Sequence, residues 1–119
     1  MGPRPKVPKR GEIYSTNPNP VVGREMRDRH YWVVLTPEAV NVHGTAIAVV
    51  ISTVAAGARA AGLAVPVTAD GVTGVAVCTQ VRSFDLRARI ADGSASLAGV
   101  ADPGTVGEIA ARVASLVDP

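Results

Sequence analysis

The chain has 119 residues, 47% of them hydrophobic but only 3% aromatic, so its core has to be assembled from Val, Ala, Leu and Ile. A domain of this length can bury a core of its own, and the single cysteine, Cys78, excludes an internal disulfide and any need for an oxidising compartment. A formal charge of +2 is too small to establish a polyanionic partner, and no run reaches the roughly 18 apolar residues of a membrane helix, so a soluble cytoplasmic protein with no membrane partner is expected.

Residues 1–9 carry three prolines and three basic residues without apolar periodicity, which predicts a disordered lead-in ahead of one domain over 10–119. Alternation in Gly11–Thr16 predicts a half-buried first strand, stopped by Asn17-Pro18-Asn19-Pro20. A loop from Val21 to Arg29 gathers Arg24, Arg27 and Arg29 around Glu25, and His30–Leu35 follows as a strand buried over much of its length. Thr36-Pro37-Glu38 predicts a short helix through about Asn41, with Thr36 as N-cap and Pro37 at the first helical position.

Thr45–Thr53 is β-branched and apolar enough for a central strand, closed by the hydroxyls of Ser52 and Thr53. After an Ala/Gly-rich loop ending at Gly62, Leu63–Val67 reads as an edge strand, because Pro66 cannot donate to a ladder. Asp70-Gly71 marks a turn. The longest strand runs from Gly74 to about Phe84, and period two puts Cys78, Gln80 and Arg82 on one face, with Val75, Val77, Thr79 and Val81 on the other. Asp102-Pro103 then opens a C-terminal amphipathic helix with Val106, Ile109, Val113 and Leu116 along its apolar face.

Several segments resemble one family. Lys9-Arg10-Gly11-Glu12-Ile13-Tyr14, Gly23-Arg24-Glu25 and Trp32-Val33-Val34-Leu35-Thr36-Pro37 stand in the order and spacing of the MazF/PemK toxins. Ala58–Val65 and Gln80–Arg89 resemble segments of its Kid/PemK branch. The resemblance implies a mainly β (α+β) fold, a compact SH3-like antiparallel barrel with a short helix and a C-terminal helix. It further implies the toxin of a type II toxin–antitoxin pair, a homodimer that cuts single-stranded RNA such as mRNA and is blocked by a segment of its cognate antitoxin. Cleavage in such proteins needs no metal or other cofactor; the ribose 2′-OH attacks, leaving a 2′,3′-cyclic phosphate and a 5′-OH.

The match at the catalytic positions is partial. Glu25 and Thr53, beside Ser52, keep the family's residues, whereas His30 and Tyr31 replace its Arg-Pro pair, and Val77 and Thr79 stand where the Kid branch has Arg and Asp. RNA cleavage through the 2′-OH needs a proton acceptor, a proton donor at the leaving oxygen, and cations or hydrogen-bond donors around the phosphorus. Histidine suits the proton transfers better than arginine. His30 is therefore expected to move a proton, Glu25 to orient it or act as base, and Thr53 to donate a hydrogen bond. Arg24 or Arg29 would hold phosphate, with Ser52, Gln80 and Arg82 as further RNA contacts.

Tyr14 and Tyr31 are the candidates for stacking on bases, with Trp32 assigned to the core. His43 reads as a surface residue, Cys78 as a buried small hydrophobe, and no metal-ligand spacing is present. A non-catalytic inhibitor like the CcdB gyrase poisons, or an inactive toxin-fold binding protein, are the alternatives.

Overall fold

The computed structural model describes residues 6–19, 29–52 and 62–119. Among them, six strands form one antiparallel sheet: β1 (Glu12–Thr16), β2 (His30–Val34), β3 (Ala46–Ser52), β4 (Ala64–Ala69), β5 (Val72–Phe84) and β6 (Ser96–Val100). Their spatial order is β4-β5-β3-β2-β1-β6. Three helices join them, α1 (Glu38–Asn41), α2 (Leu86–Ala91) and α3 (Pro103–Val117). None is long and apolar enough to cross a membrane.

The sheet is apolar on both faces, and each face has its own cover. Ile13, Val33, Val49, Ile51, Val65 and Ala76 pack with Val106 and Ile109 of α3. On the opposite face Tyr14, Trp32, Val34, Val50, Val77 and Phe84 pack with Leu86 of α2. Three of the four aromatic rings thus share this second core, where Trp32 meets Phe84 edge-on at 4.8 Å between centroids, a favoured geometry for two ring quadrupoles.

The expected central strand is β3, the Pro66 strand is an edge, and the C-terminal helix buries Val106 and Ile109. Asp102 accepts a hydrogen bond from Thr105 N–H at 3.0 Å, capping that helix as the sequence implies. Four expectations change. β1 is not half-buried: lying between β2 and β6, it buries Glu12, Ile13, Tyr14 and Thr16. The cap of α1 is Pro37 and supplies no side-chain bond, because the Thr36 hydroxyl donates to Asn41 Oδ1 and accepts from Ile47 N–H.

Period two also fails along β5. Ala76 pairs with Ile51, yet the next pair is Val81 with Val49, so β5 advances five residues while β3 advances two. This bulge reverses the facing: Cys78 joins the α3 core, whereas Arg82, paired with Ala48, lies on the Phe84 side. Finally, α2 and β6 were not foreseen. Six residues of α2 are too few to display helical periodicity, and Ser96-Leu97-Ala98-Gly99-Val100 becomes a strand by pairing with β1.

The curled sheet closes where the β4–β5 turn meets the far edge strand. Asp70 (φ 49°) and Gly71 (φ 86°) have the left-handed pair of conformations that suits a two-residue hairpin turn. From there Asp70 Oδ2 accepts the Val100 N–H at 3.0 Å, blunting one end of the β6 edge. A Cβ on Gly99 would stand 2.9 Å from Asp70 Cβ and 3.3 Å from the Ala69 carbonyl oxygen. Gly99→Ala is therefore expected to push the hairpin tip off β6 and to destabilise the chain by about 1–3 kcal/mol, the usual range for overpacking, measured by urea denaturation.

Contacts with the barrel begin at Lys6, four residues before the expected start at Arg10. Lys6 Nζ, Lys9 N–H and Tyr14 O–H donate to the Glu12 carboxylate at 2.7, 2.7 and 3.0 Å, and Asn41 Nδ2 donates to the Pro8 carbonyl at 2.8 Å. Burial by itself would raise the Glu12 carboxyl, but these three donors outweigh it and hold the group below its ordinary value. A carboxyl depressed by folding contributes stability that is complete above its unfolded value, about 4.3 for glutamate, and is lost as pH falls through the folded value. Thermal unfolding followed downward from pH 5 should show a loss of midpoint that Glu12→Gln makes shallower.

Candidate active site

The sequence places His30 at the first position of β2, and the sheet decides its neighbours. His30 pairs with Thr16 of β1. Tyr31 pairs with Ile51, so the next antiparallel step sets His30 opposite Ser52 of β3. Thr16, His30 and Ser52 therefore form one row across three strands, on the face that also bears Trp32, Tyr14 and Phe84. Thr16 and Ser52 are buried and His30 is half-buried. The imidazole sits at a strand position fixed by pairing on both sides and makes no hydrogen bond to a described residue.

Arg24, Glu25 and Thr53 lie outside the described residues; Thr53 directly follows Ser52 in the chain. Arg29 occupies the other side of the strand end. Its guanidinium donates to the Ser15 carbonyl at 3.1 Å, to Ser15 Oγ at 3.3 Å and to the Ser94 carbonyl at 3.4 Å, stitching β2 to β1 and to the turn before β6. Tyr31, next to it, is 42% exposed, as a base-stacking ring requires. Tyr14 is not available for stacking, contrary to expectation, because it is 1% exposed with its hydroxyl bonded to Glu12.

Gln80 and Arg82 are half-buried on β5, and the Arg82 guanidinium carbon lies 5.7 Å from the Phe84 ring centroid. Val77 is core and Thr79 is exposed. Cys78 is 1% exposed, and burial pushes its thiol up, the opposite of what a nucleophilic thiolate needs. His43 lines a cavity of about 380 Å³ with Asp85 and Arg87, separate from the His30 row. No cluster of three or more His, Cys, Asp or Glu side chains suited to a metal ion occurs among the described residues.

The row had a partner the sequence did not disclose. Arg89, on α2, donates from Nη1 to Thr16 Oγ1 at 3.1 Å and to the Asn17 carbonyl at 2.8 Å, and its guanidinium carbon sits 4.8 Å from the Phe84 centroid. Only the docking of the unforeseen α2 brings it there. A half-buried imidazole beside two hydroxyl residues, with cations on the same face, can exchange protons and hold an anion.

A protein-family model described as "PemK-like, MazF-like toxin of type II toxin-antitoxin system" matches residues 9–117. The Escherichia coli protein named Endoribonuclease PemK is 36% identical over 85 residues, which is 68% of this chain and 63% of that protein; the chain thus spans less than two thirds of the length of this curated relative. A crystal structure of MazF from Deinococcus radiodurans superposes with a TM-score of 0.81 at 29% identity, covering 96% of this chain and 99% of that one. A MazE-MazF structure from the same organism gives 0.75 at 30% identity, covering 95% and 97%.

Proposed function

Since the chain belongs to the PemK-like, MazF-like family of toxins of type II toxin–antitoxin systems, we propose that it is an endoribonuclease toxin that cuts single-stranded RNA without a metal or other cofactor. The observation that carries the reading is His30: a half-buried imidazole on a rigid strand, in one row with Thr16 and Ser52. His30 moves a proton between the 2′-OH, the departing 5′ oxygen and solvent. Glu25 orients it or serves as the base, and Thr53 donates a hydrogen bond to the phosphoryl oxygens.

Arg24, Ser52, Gln80 and Arg82 line the path of the strand, Arg29 pins the strand end beside it, and Tyr31 stacks a base. Protonation and cationic contacts stabilise the charge that builds on phosphorus as the 2′ oxygen attacks. The single domain, whose contacts begin at Lys6, acts as a homodimer in the cytoplasm and is neutralised by a segment of its cognate antitoxin. Relatives named as a MazE-MazF complex and as Endoribonuclease PemK support partner and substrate.

The experiment is direct. Purified protein incubated with defined RNA in EDTA is expected to give fragments with 5′-OH and 2′,3′-cyclic phosphate ends. Intact RNA at micromolar protein would remove the nuclease reading.

A further inference from the structure

Resting on the reading that the His30 face receives RNA, we infer that Arg89 of α2 is the anchored cation of that face and binds a backbone phosphate there. Three observations converge on its guanidinium. Its guanidinium carbon lies over the Phe84 ring, 4.8 Å from the centroid, a cation–π contact that helps hold the group in place. Nη1 is held by Thr16 Oγ1 and the Asn17 carbonyl, so the group is docked at the end of β1, next to the residue that pairs with His30. Nη2 and Nε meet no hydrogen-bond partner among the described residues and form a free two-donor edge, the fork that matches phosphate oxygens.

The anchoring itself is built in layers. Thr16 Oγ1 donates to the Ser94 carbonyl at 3.2 Å while accepting from Arg89, and Thr16 is fully buried. Asp92, on the same turn, accepts the Ser94 N–H at 2.8 Å and makes no ion pair with Arg89. The guanidinium therefore has no carboxylate bridged to it, although Asp92 is near enough to feel its charge, and little rotamer freedom is left to lose on binding. Arg29, by contrast, uses both terminal nitrogens on the carbonyls and hydroxyl of Ser15 and Ser94, so of the two arginines at this strand end Arg89 is the one with donors to offer.

The test uses the full chain and a mixed-sequence single-stranded 2′-O-methyl RNA, which offers no 2′-OH for attack. Anisotropy titrations between 50 and 200 mM salt give the slope of log Kd against log salt. Arg89→Gln is expected to reduce that slope by about 0.7, the value of one phosphate contact on a single strand, and Arg89→Lys to restore it. Arg112→Gln on α3, which removes the same charge elsewhere, leaves the slope unchanged.

Because Arg89 also ties down Thr16 and Asn17, a measurement on the unaltered chain accompanies the variants. Phenylglyoxal labelling mapped by mass spectrometry is expected to show Arg89 protected by the bound oligonucleotide. An unchanged slope in folded Arg89→Gln, or equal labelling of Arg89 with and without saturating oligonucleotide, overturns the inference. A reduced slope in a chain that leaves ordinary RNA intact retains the phosphate contact and removes the nuclease; RNA cleavage with an unchanged slope does the reverse.

Discussion

His30→Ala is expected to lower the rate of RNA cleavage by about 10²- to 10⁴-fold, the range associated with losing a general acid or base, while the melting temperature stays close to that of the parent chain. The stability half follows from position. The imidazole is half-buried at a strand start and makes no hydrogen bond to a described residue, so its removal leaves neither a large cavity nor an orphaned partner. The activity half follows from chemistry, since the Thr16–His30–Ser52 row offers two hydroxyls but no second side chain suited to general acid–base work.

His30→Gln separates proton transfer from hydrogen bonding. Glutamine keeps a donor and an acceptor but does not titrate, so it should be as slow as alanine. Initial rates on defined RNA in EDTA, with circular dichroism melts beside them, decide the matter. Cleavage by His30→Ala within threefold of the parent chain would mean that the proton moves elsewhere.

Trp32→Ala is expected to have the largest effect on stability, about 3–5 kcal/mol, out of the roughly 5–15 kcal/mol available to a domain of this kind. Trp32 is 1% exposed and lies at the centre of the second core, between Tyr14 and Val50 in the sheet register and edge-on to Phe84. Its neighbours Tyr14, Val50 and Phe84 are held by the sheet, so relaxation fills the space only in part. At an m value of about 1–3 kcal/mol per molar urea, the midpoint should fall by one molar or more.

Trp32→Phe should cost less than half as much. Trp32 Nε1 is buried without a hydrogen-bond partner, so the smaller ring forfeits volume but no polar contact. The same core supports the face on which His30 and Arg89 sit, because Arg89 rests on Phe84 and Phe84 on Trp32. Trp32→Ala should therefore weaken RNA binding even below its unfolding midpoint, whereas Trp32→Phe should not.

How much of this was legible before the chain was folded differs from element to element. β2, β3 and the Pro66 edge strand were readable because valine and isoleucine runs and a missing N–H act locally. The α3 cap was readable for the same reason, as an Asp-Pro pair followed by an apolar residue every three or four positions. The motif resemblance singled out Glu25, His30 and Thr53 as site candidates, of which His30 lies among the described residues. The facing of β5 was not readable, because the bulge between Ala76 and Val81 arises from its pairing with β3.

The sequence by itself determined a mainly β chain, its turn at Asp70-Gly71, its terminal helix and a histidine at the head of a strand, since each depends on neighbours within a few positions. Only the tertiary structure decided that Tyr14 is sealed against Glu12 rather than offered to a base, that Arg29 acts as a clasp, and that Arg89 reaches the His30 face across 73 positions of chain from Thr16. Such contacts join strands and helices distant in sequence, and their free energy depends on how whole faces pack, which no local pattern encodes.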